Sequence, residues 1–237
     1  IDNGSNDACG IATISIDQSA FNCADVGANT VVLTVTDVNG NVSTCSATVT
    51  VVDNIVPTVN CPSDITVNAN ASCVAVLSNY GAESTASDNC TANANITLVQ
   101  TPAPGTLLPL GTHTVTITGT DENGNTSSCT MLVTVQDASA PSVVNCPSNI
   151  IVSSGAACTG VATWTAPTVS DNCSGGTITQ TGGLASGSAF PLGVSTITYT
   201  ATDGAGNTAT CSFTVTVTDV TAPALICPAN IVVGNSA

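Results

Sequence analysis

Acidic side chains are the residues of this chain whose type and spacing could do chemistry. They recur as the Asp that closes a strand, the Asp of an Asp-Asn-Cys tripeptide, and the Asp of an Asp-x-x-Gly-Asn turn. One set is Asp53, Asp88 and Asp121, and the next is Asp137, Asp171 and Asp203. Oxygen clusters with no cation beside them suit Ca²⁺. We therefore predict that each set converges on a calcium ion, with Asn123 and Asn125 near the first; the alternative is that these residues only form turns and caps.

The charge balance excludes several classes of protein. The chain has 237 residues, no Lys or Arg, 15 acidic residues and a formal net charge of −15. Nucleic acids and anionic membranes both attract cationic proteins, so we expect neither as a partner. No apolar run is long enough for a membrane span. The single histidine, His113, falls on the polar face of its strand, and no nucleophile motif is present. We expect no enzyme, although a catalytic carboxylate pair stays possible in principle.

A 24-residue stretch that occurs three times must position the acidic residues. The copies run from Thr30 to Asp53, from Thr114 to Asp137 and from Thr196 to Asp219. Each combines an alternating run, the Asp-x-x-Gly-Asn turn, a cysteine and a second alternating run, which is the pattern of a β-hairpin. The residues predicted to face the core in the third copy are Ile197, Tyr199, Ala201, Cys211, Phe213, Val215 and Val217.

The spacing of the copies defines modules. The turn residues Asp37, Asp121 and Asp203 are 84 and 82 residues apart, which indicates tandem domains rather than a solenoid. Modules of this length suit a small β-sandwich, so the predicted fold class is all-β. The expected domains are the rear part of a module at 1–53, complete modules at 54–137 and 138–219, and the start of a further module at 220–237.

An ordered series of motifs resembles the hyalin repeat (HYR) family. The third module carries Ala140-Pro141, Cys146-Pro147, Asp171-Asn172-Cys173, Phe190-Pro191-Leu192-Gly193, the Asp203 turn and the final alternating strand. The second module has Leu108-Pro109 for Phe-Pro, and the first is a variant with Asp7-Ala8-Cys9 and an added Cys23. The resemblance implies tandem immunoglobulin-like or fibronectin-like sandwiches. It also implies a non-catalytic adhesive module of a large secreted bacterial surface protein.

Twelve cysteines at repeating positions indicate an oxidising, extracellular setting. Four cysteines in a module allow three pairings. In the sandwich that the resemblance implies, the first and last strands are neighbours and start at the same end. We therefore predict that the first cysteine pairs with the fourth and the second with the third. The predicted bonds are Cys61–Cys129, Cys146–Cys211, Cys73–Cys90, Cys158–Cys173 and, in the first module, Cys9–Cys23.

Two cysteines remain, and they are complementary. Cys45 is of the fourth type and Cys227 is of the first type. Two interpretations stay open. Either the chain is cut from a longer string of modules, or the Cys227–Val233 strand completes the first module of another copy through a Cys227–Cys45 bond.

The leading functional prediction is a semi-rigid extracellular stalk or filament of disulfide-bonded sandwiches, stiffened by calcium or completed by strand donation between copies. Its expected partners are neighbouring modules, other copies, and surface glycans or proteins. The alternative is a carbohydrate-binding surface module, which would need exposed aromatic rings. Only six aromatic residues are present, and Trp164 lies on an alternating run that favours core or edge packing.

Overall fold

The computed structural model describes residues 1–173, 175–227, 230 and 233–234. The first repeat contains β1 (Ile11–Ile16), β2 (Gly27–Asp37) and β3 (Val42–Val51). The second contains β4 (Thr58–Asn60), β5 (Ile65–Asn68), β6 (Val74–Val76), β7 (Thr85–Ser87), β8 (Thr97–Thr101), β9 (Leu107–Pro109), β10 (Gly111–Thr120) and β11 (Thr126–Gln136). The third contains β12 (Ser142–Val144), β13 (Ile150–Ser153), β14 (Thr159–Val161), β15 (Thr168–Ser170), β16 (Thr177–Gly182), β17 (Ala189–Pro191), β18 (Gly193–Thr202) and β19 (Thr208–Thr218).

Helix is confined to three 3-10 turns in the described residues, at Cys23–Asp25, Tyr80–Ala82 and Asn93–Asn95. None of the described helices is long and apolar enough to cross a membrane. The chain is a tandem array of β-sandwich modules, which confirms the predicted fold class. Of the further module predicted at 220–237, residues 228–229, 231–232 and 235–237 lie outside the described residues, and the others form no strand.

The three 24-residue stretches fold as the predicted hairpins, β2–β3, β10–β11 and β18–β19. Each hairpin is antiparallel and keeps an unbroken register over ten residue pairs. The register pairs apolar residues with apolar residues and hydroxyl-bearing residues with each other. In the third hairpin, Ile197 lies opposite Phe213 on one face and Thr196 lies opposite Thr214 on the other. One face of each hairpin is therefore apolar and the other is lined with hydroxyl groups.

The described residues form two compact units. The first unit comprises Ile1–Val67 and Val74–Val135, and it includes both the first repeat and most of the second. Its sheets are β1-β2-β3 and β5-β11-β10-β8, with the pairs β4–β7 and β6–β9. The boundary predicted after residue 53 lies within this unit, and the division into repeats at that point stays a prediction.

The second unit comprises Asn68–Cys73 and Gln136–Ala237. Its main sheet has the order β13-β19-β18-β16, and the pairs β12–β15 and β14–β17 complete it. Strand β13 joins the hairpin in parallel, with Ile150 opposite Val215 and Val152 opposite Val217. A strand that begins just after the first cysteine of the repeat thus lies beside the last strand.

The core of the third repeat is built on the predicted hairpin face, since all seven residues predicted there are buried. Phe190 of β17 and Ala162, which directly follows β14, add to this cluster. The half-buried Trp164 packs edge-on against Phe213 with ring centroids 5.1 Å apart, and its indole N–H donates to the Tyr199 hydroxyl at 2.9 Å. The predicted packing role of Trp164 is confirmed, and the ring does not form an exposed platform on which a sugar could stack.

The described residues form four disulfide bonds: Cys61–Cys129, Cys146–Cys211, Cys23–Cys90 and Cys73–Cys173. The first two link the segment between the first two strands of a repeat to its last strand, as in the predicted first-to-fourth pairing. The other two link residues of successive repeats. The predicted bonds Cys73–Cys90, Cys158–Cys173 and Cys9–Cys23 are wrong.

Strand direction explains these errors. Because β13 runs parallel to β19, Ser154 donates its amide to the Thr218 carbonyl at 2.8 Å, and Cys158 follows at that end of β19. Cys173 lies two residues after Asp171, which clusters with Asp203 before the start of β19. The 11 residues of β19 span ~35 Å, far more than a disulfide can bridge.

The first repeat shows the same separation. Cys9 lies just before β1, whose first residue, Ile11, is opposite Asp37 at the end of β2. Cys23 lies at the other end of β2, shortly before Gly27. Its partner is therefore Cys90 of the next repeat, and Cys9 carries a free thiol.

Candidate calcium-binding clusters

The hairpin turn fixes the first carboxylate of each cluster. Asn125 donates its backbone and side-chain amides to the two oxygens of Asp121, both at 2.7 Å. Asn207 binds Asp203 in the same way, at 2.8 and 2.9 Å. Gly124 makes this loop possible because its φ of 87° is in the left-handed region.

The Asp-Asn-Cys tripeptide supplies the second carboxylate. One oxygen of Asp88, Oδ2, accepts the backbone amides of Cys90 and Thr91, each at 2.9 Å. Asp171 Oδ2 accepts the amide of Cys173 at 2.8 Å. The other oxygen of Asp88, Oδ1, is buried and has no hydrogen-bond partner among the described residues. The Asp88 loop therefore holds the carboxylate through one oxygen and leaves the second one buried.

The strand-closing residues supply the third carboxylate. Asp137 Oδ1 accepts the amide of Ser139 at 3.0 Å, whereas Asp137 Oδ2 is buried without a hydrogen-bond partner in the described part of the chain. The side-chain amide of Asn207 donates to the Asp137 carbonyl at 3.2 Å. Asn125 reaches the carbonyl of Asp53 at the same distance, so the turn Asn ties each strand end to the turn.

The two predicted sets come together. Asp53, Asp88 and Asp121 each offer a carboxylate oxygen within 4.8 Å of the others, and so do Asp137, Asp171 and Asp203. The exposed fraction of the strand-closing and turn residues is only 6–7%. No Lys or Arg exists in the chain to compensate these charges. Two buried carboxylates and one half-buried carboxylate this close together repel one another unless a cation joins them.

Burial and hydrogen bonding act in opposite directions on the turn carboxyls. Burial raises the pKa of Asp121, but the amides of Asn125, Asn123 and Gly124 outweigh it and hold the pKa below its ordinary value of 3.8. The pKa of Asp203 is lowered by the same balance, with Asn207 as the main donor. These carboxyls are therefore ionised at neutral pH, which is the state that a metal ligand requires.

The two clusters differ in one amide. In the first, Asn123 donates its side-chain amide to Asp53 Oδ2 at 3.1 Å. The equivalent residue of the second cluster is Ala205, which contributes only its backbone amide to Asp203. An Asn can turn its oxygen toward a cation, so the first cluster offers one more potential oxygen ligand than the second.

The disulfides between repeats are the feature of these junctions that the sequence did not predict. Cys90 follows Asp88 by two residues, and Cys173 follows Asp171 by two. Each acidic loop is therefore anchored covalently to a cysteine of the preceding repeat. The length of the long strands was the signal in the sequence that could have revealed these bonds. It places the two remaining cysteines of a repeat at opposite ends of the hairpin, too far apart to pair with each other.

These features define a class: tandem β-sandwiches with disulfides within and between repeats and acidic clusters at the repeat junctions. A family model of the HYR domain matches residues 52–135 and 136–217. The chain belongs to the HYR domain family.

Curated relatives agree with this assignment. Hyalin from Lytechinus variegatus is 32% identical over 226 residues, which cover 93% of this chain and 42% of hyalin. "Sushi, von Willebrand factor type A, EGF and pentraxin domain-containing protein 1" from Rattus norvegicus is 31% identical over 159 residues, which cover 65% of this chain and 4% of that protein. The chain thus spans less than half of either relative.

Among solved structures, the chain is similar to "Protocadherin gammaB7 EC3-6 cis-dimer structure", with 17% identity, a TM-score of 0.38, and coverage of 90% of this chain and 68% of that chain. The predicted extracellular, cell-surface setting is confirmed by the family and the relatives. The relatives are animal proteins, so they do not support the bacterial setting that the sequence resemblance implied.

Proposed function

We propose that the chain is a non-catalytic, adhesive structural protein, in which a stalk of sandwich modules carries load and calcium stiffens the junctions. The observation that carries this proposal is the coincidence, at each junction, of a disulfide between repeats with a cluster of three carboxylates, two of them buried. Its partners are neighbouring modules and other surface proteins.

The disulfides support the mechanical role because they limit how far the chain can lengthen. Cys61–Cys129 and Cys146–Cys211 span 68 and 65 residues, and a force applied to the chain ends bypasses those residues. Of the 237 residues, only about 100 can be extended, or ~370 Å at about 3.6 Å per residue. Reduction frees the whole chain, which reaches ~850 Å.

The bonds between repeats form a second and independent route of about the same length. It passes from the N-terminus to Cys23, across to Cys90, back to Cys73, across to Cys173 and on to the C-terminus. This route also contains about 100 residues, or ~370 Å. Because the two routes are about equally long, the maximum extension of the chain stays the same when either pair of disulfides is removed.

Single-molecule stretching tests the mechanical role. The oxidised chain, held by handles at both ends, is expected to unfold and then stop at ~370 Å, and to reach ~850 Å with reductant. The Cys61→Ser/Cys129→Ser variant is expected to stop at the same ~370 Å, because the bonds between repeats remain. If the cysteines paired only within repeats, this variant would reach ~500 Å. An oxidised chain that extends freely past ~400 Å contradicts the load-bearing role.

The calcium part of the proposal is supported by the unpartnered oxygens. Asp88 Oδ1 and Asp137 Oδ2 are buried atoms that give up water without gaining a hydrogen bond among the described residues. Leaving such an atom unsatisfied is costly, and a bound cation would offset that loss. Ca²⁺ fits because it accepts about six to eight oxygens in flexible geometry, whereas Mg²⁺ demands a tight octahedron.

Thermal unfolding with and without Ca²⁺ tests this part separately. A ligand present at a hundredfold excess over its dissociation constant stabilises the folded state by about 2.7 kcal/mol per site. For modules of this size such a gain raises the melting temperature by ~10–20 °C. Mg²⁺ at the same concentration is the control and is expected to do much less. An unchanged melting temperature in Ca²⁺ and in chelator would overturn the calcium sites and leave the disulfide argument intact.

A further inference from the structure

The first repeat has an open sheet edge where the other repeats have a strand. In the four-stranded sheets, β11 is flanked by β5 and β19 is flanked by β13. In the sheet β1-β2-β3, by contrast, β3 lies at the edge. Val215 and Val217 of β19 are buried, whereas their equivalents on β3, Val49 and Val51, are only half-buried. The apolar face and the edge of β3 therefore lack the cover that the fold provides elsewhere.

The segment that starts at Cys227 carries the matching strand sequence. β5 and β13 begin within the pattern Cys-Pro-Ser-Asp/Asn-Ile, as Cys61 to Ile65 and Cys146 to Ile150. The chain from Cys227 reads Cys-Pro-Ala-Asn-Ile, with Asn230 at the Asp/Asn position. Just before it, Leu225 and Ile226 are 87% and 92% exposed. An exposed apolar segment and an uncovered apolar edge are thus present in one molecule.

A specific hydrogen bond identifies the register. Leu132, three residues after Cys129, donates its amide to Asp64 at 2.8 Å, and Thr214, three residues after Cys211, donates to Asn149 at 2.9 Å. The residue three positions after Cys45 is Thr48, which lies on the edge strand β3. Its expected partner in a donated strand is therefore Asn230.

The free cysteines follow the same logic. The described residues include four free thiols, all exposed: Cys9, Cys45, Cys158 and Cys227. In Cys61–Cys129 and Cys146–Cys211 a cysteine of the first type pairs with one of the fourth type. Cys45 is of the fourth type and Cys227 is of the first type, so they match. In Cys23–Cys90 and Cys73–Cys173 a cysteine of one repeat pairs with the cysteine of the Asp-x-Cys loop in the following repeat. The same pairing would join Cys158 to such a loop of a following repeat, and Cys9 belongs to a loop of this kind.

The acidic residues at the two ends are complementary as well. Asp7 and Asp37 line one open cleft together with Asn41, and they occupy the tripeptide and turn positions of a cluster. Asp219 occupies the strand-closing position and lines another open recess beside Cys158 and Pro223. Asp219 is exposed, whereas its equivalents Asp53 and Asp137 are buried.

We propose that a second copy of this chain completes the first repeat: the segment from Cys227 of one copy pairs with β3 of the next, in parallel. Two disulfides, Cys227–Cys45 and Cys158–Cys9, then lock the copies head to tail. Asp219 of one copy joins Asp7 and Asp37 of the next in a third acidic cluster. This inference rests on the proposed structural role and extends it to self-assembly. Each bond forms from two thiols, with two protons and two electrons passing to a disulfide oxidant such as oxidised glutathione.

The test is oxidation of the whole chain at increasing concentration with oxidised glutathione, starting from an equal mixture of unlabelled and ¹⁵N-labelled protein. A ladder of covalent multimers is expected on non-reducing gels, which reductant collapses to one band. Trypsin has no cleavage site in a chain without Lys or Arg, so an aspartate-specific protease is used for peptide mapping. Mass spectrometry is expected to find Cys45–Cys227 and Cys9–Cys158 peptides, half of them carrying one light and one heavy partner.

Variants separate strand pairing from chance thiol chemistry. Thr48→Pro blocks the edge of β3 and is tolerated on an edge strand, so it is expected to reduce the ladder at least tenfold while the monomer stays folded. Cys158→Ser/Cys227→Ser is expected to abolish the ladder. Persistent monomers with four free thiols, bonds within one copy, or other pairings such as Cys9–Cys227 would overturn the inference. A monomer that still stops at ~370 Å under force would leave the load-bearing proposal standing.

Discussion

Replacing Asp137 by Asn is expected to stabilise the third repeat in the absence of calcium and to remove most of the stabilisation that calcium adds. The substitution keeps the shape of the side chain and removes one charge. Asn can still accept the amide of Ser139, and its own amide can donate to the neighbouring carboxylates. The variant therefore tests the charge of the cluster rather than its packing.

The distance between the carboxylates sets the magnitude. Asp137 and Asp171 have oxygens within 4.8 Å of each other. Two like charges at that distance repel by about 0.9 kcal/mol in water and about 3.5 kcal/mol at an effective dielectric constant of 20. Without calcium, loss of this repulsion is expected to raise the melting temperature by ~4 °C or more. If the variant binds calcium a hundredfold more weakly, the same calcium concentration stabilises it by only ~0.4 kcal/mol, compared with ~2.7 kcal/mol for the wild type. The calcium-induced shift in its melting temperature therefore nearly vanishes.

The fluorescence of Trp164 is the assay, because this only tryptophan packs in the core of the third repeat. Asp53→Asn is the matched control, since it makes the same change in the cluster of the first unit and is expected to leave the Trp164 transition unchanged. The reasoning is refuted if Asp137→Asn lowers the transition temperature in chelator, or if calcium raises it as much as in the wild type.

Two further predictions concern the glycines and the turn carboxyls. A Cβ on Gly183 would lie 2.5 Å from the Thr196 carbonyl at a φ of 81°, whereas one on Gly187 would meet nothing within 4 Å at a φ of 86°. Gly187→Ala is expected to destabilise by ~1–2 kcal/mol and Gly183→Ala by a further ~1–3 kcal/mol, measured by urea unfolding; equal effects would contradict the steric reasoning. Because the folded-state pKa of Asp121 and Asp203 lies below 3.8, their contribution is complete above that pH and is lost as the pH falls through the folded value. Melting temperatures measured from pH 5 down to pH 2 are expected to fall, and Asn at either position is expected to flatten the slope.

The hairpins and their core were accessible from the sequence because period-two alternation determines which face of a strand is buried. Ile197 and Phe213 were assigned correctly on that basis alone. The convergence of the acidic residues was also inferred, because turns and strand ends recur at fixed positions in each repeat. Metal binding itself stays a prediction.

The pairing of Cys73 and Cys158 was beyond the same reasoning. The order and spacing of the cysteines predict which strands are neighbours. They do not predict which end of a strand the following loop reaches. That depends on β13 joining β19 in parallel, which carries the following loop to the far end of the hairpin. A pattern confined to one repeat also contains no information about a bond whose second cysteine lies in the next.

The bonds between repeats have a consequence for survival outside a cell, where proteases are abundant. The connecting segments around Asn54–Val56 and Ala138–Ala140 are mostly exposed and are natural places for an enzyme to cut. Cys23–Cys90 spans the first segment and Cys73–Cys173 spans the second. A severed connector therefore releases no fragment, because the nicked molecule keeps its full mass until its disulfide bonds are reduced.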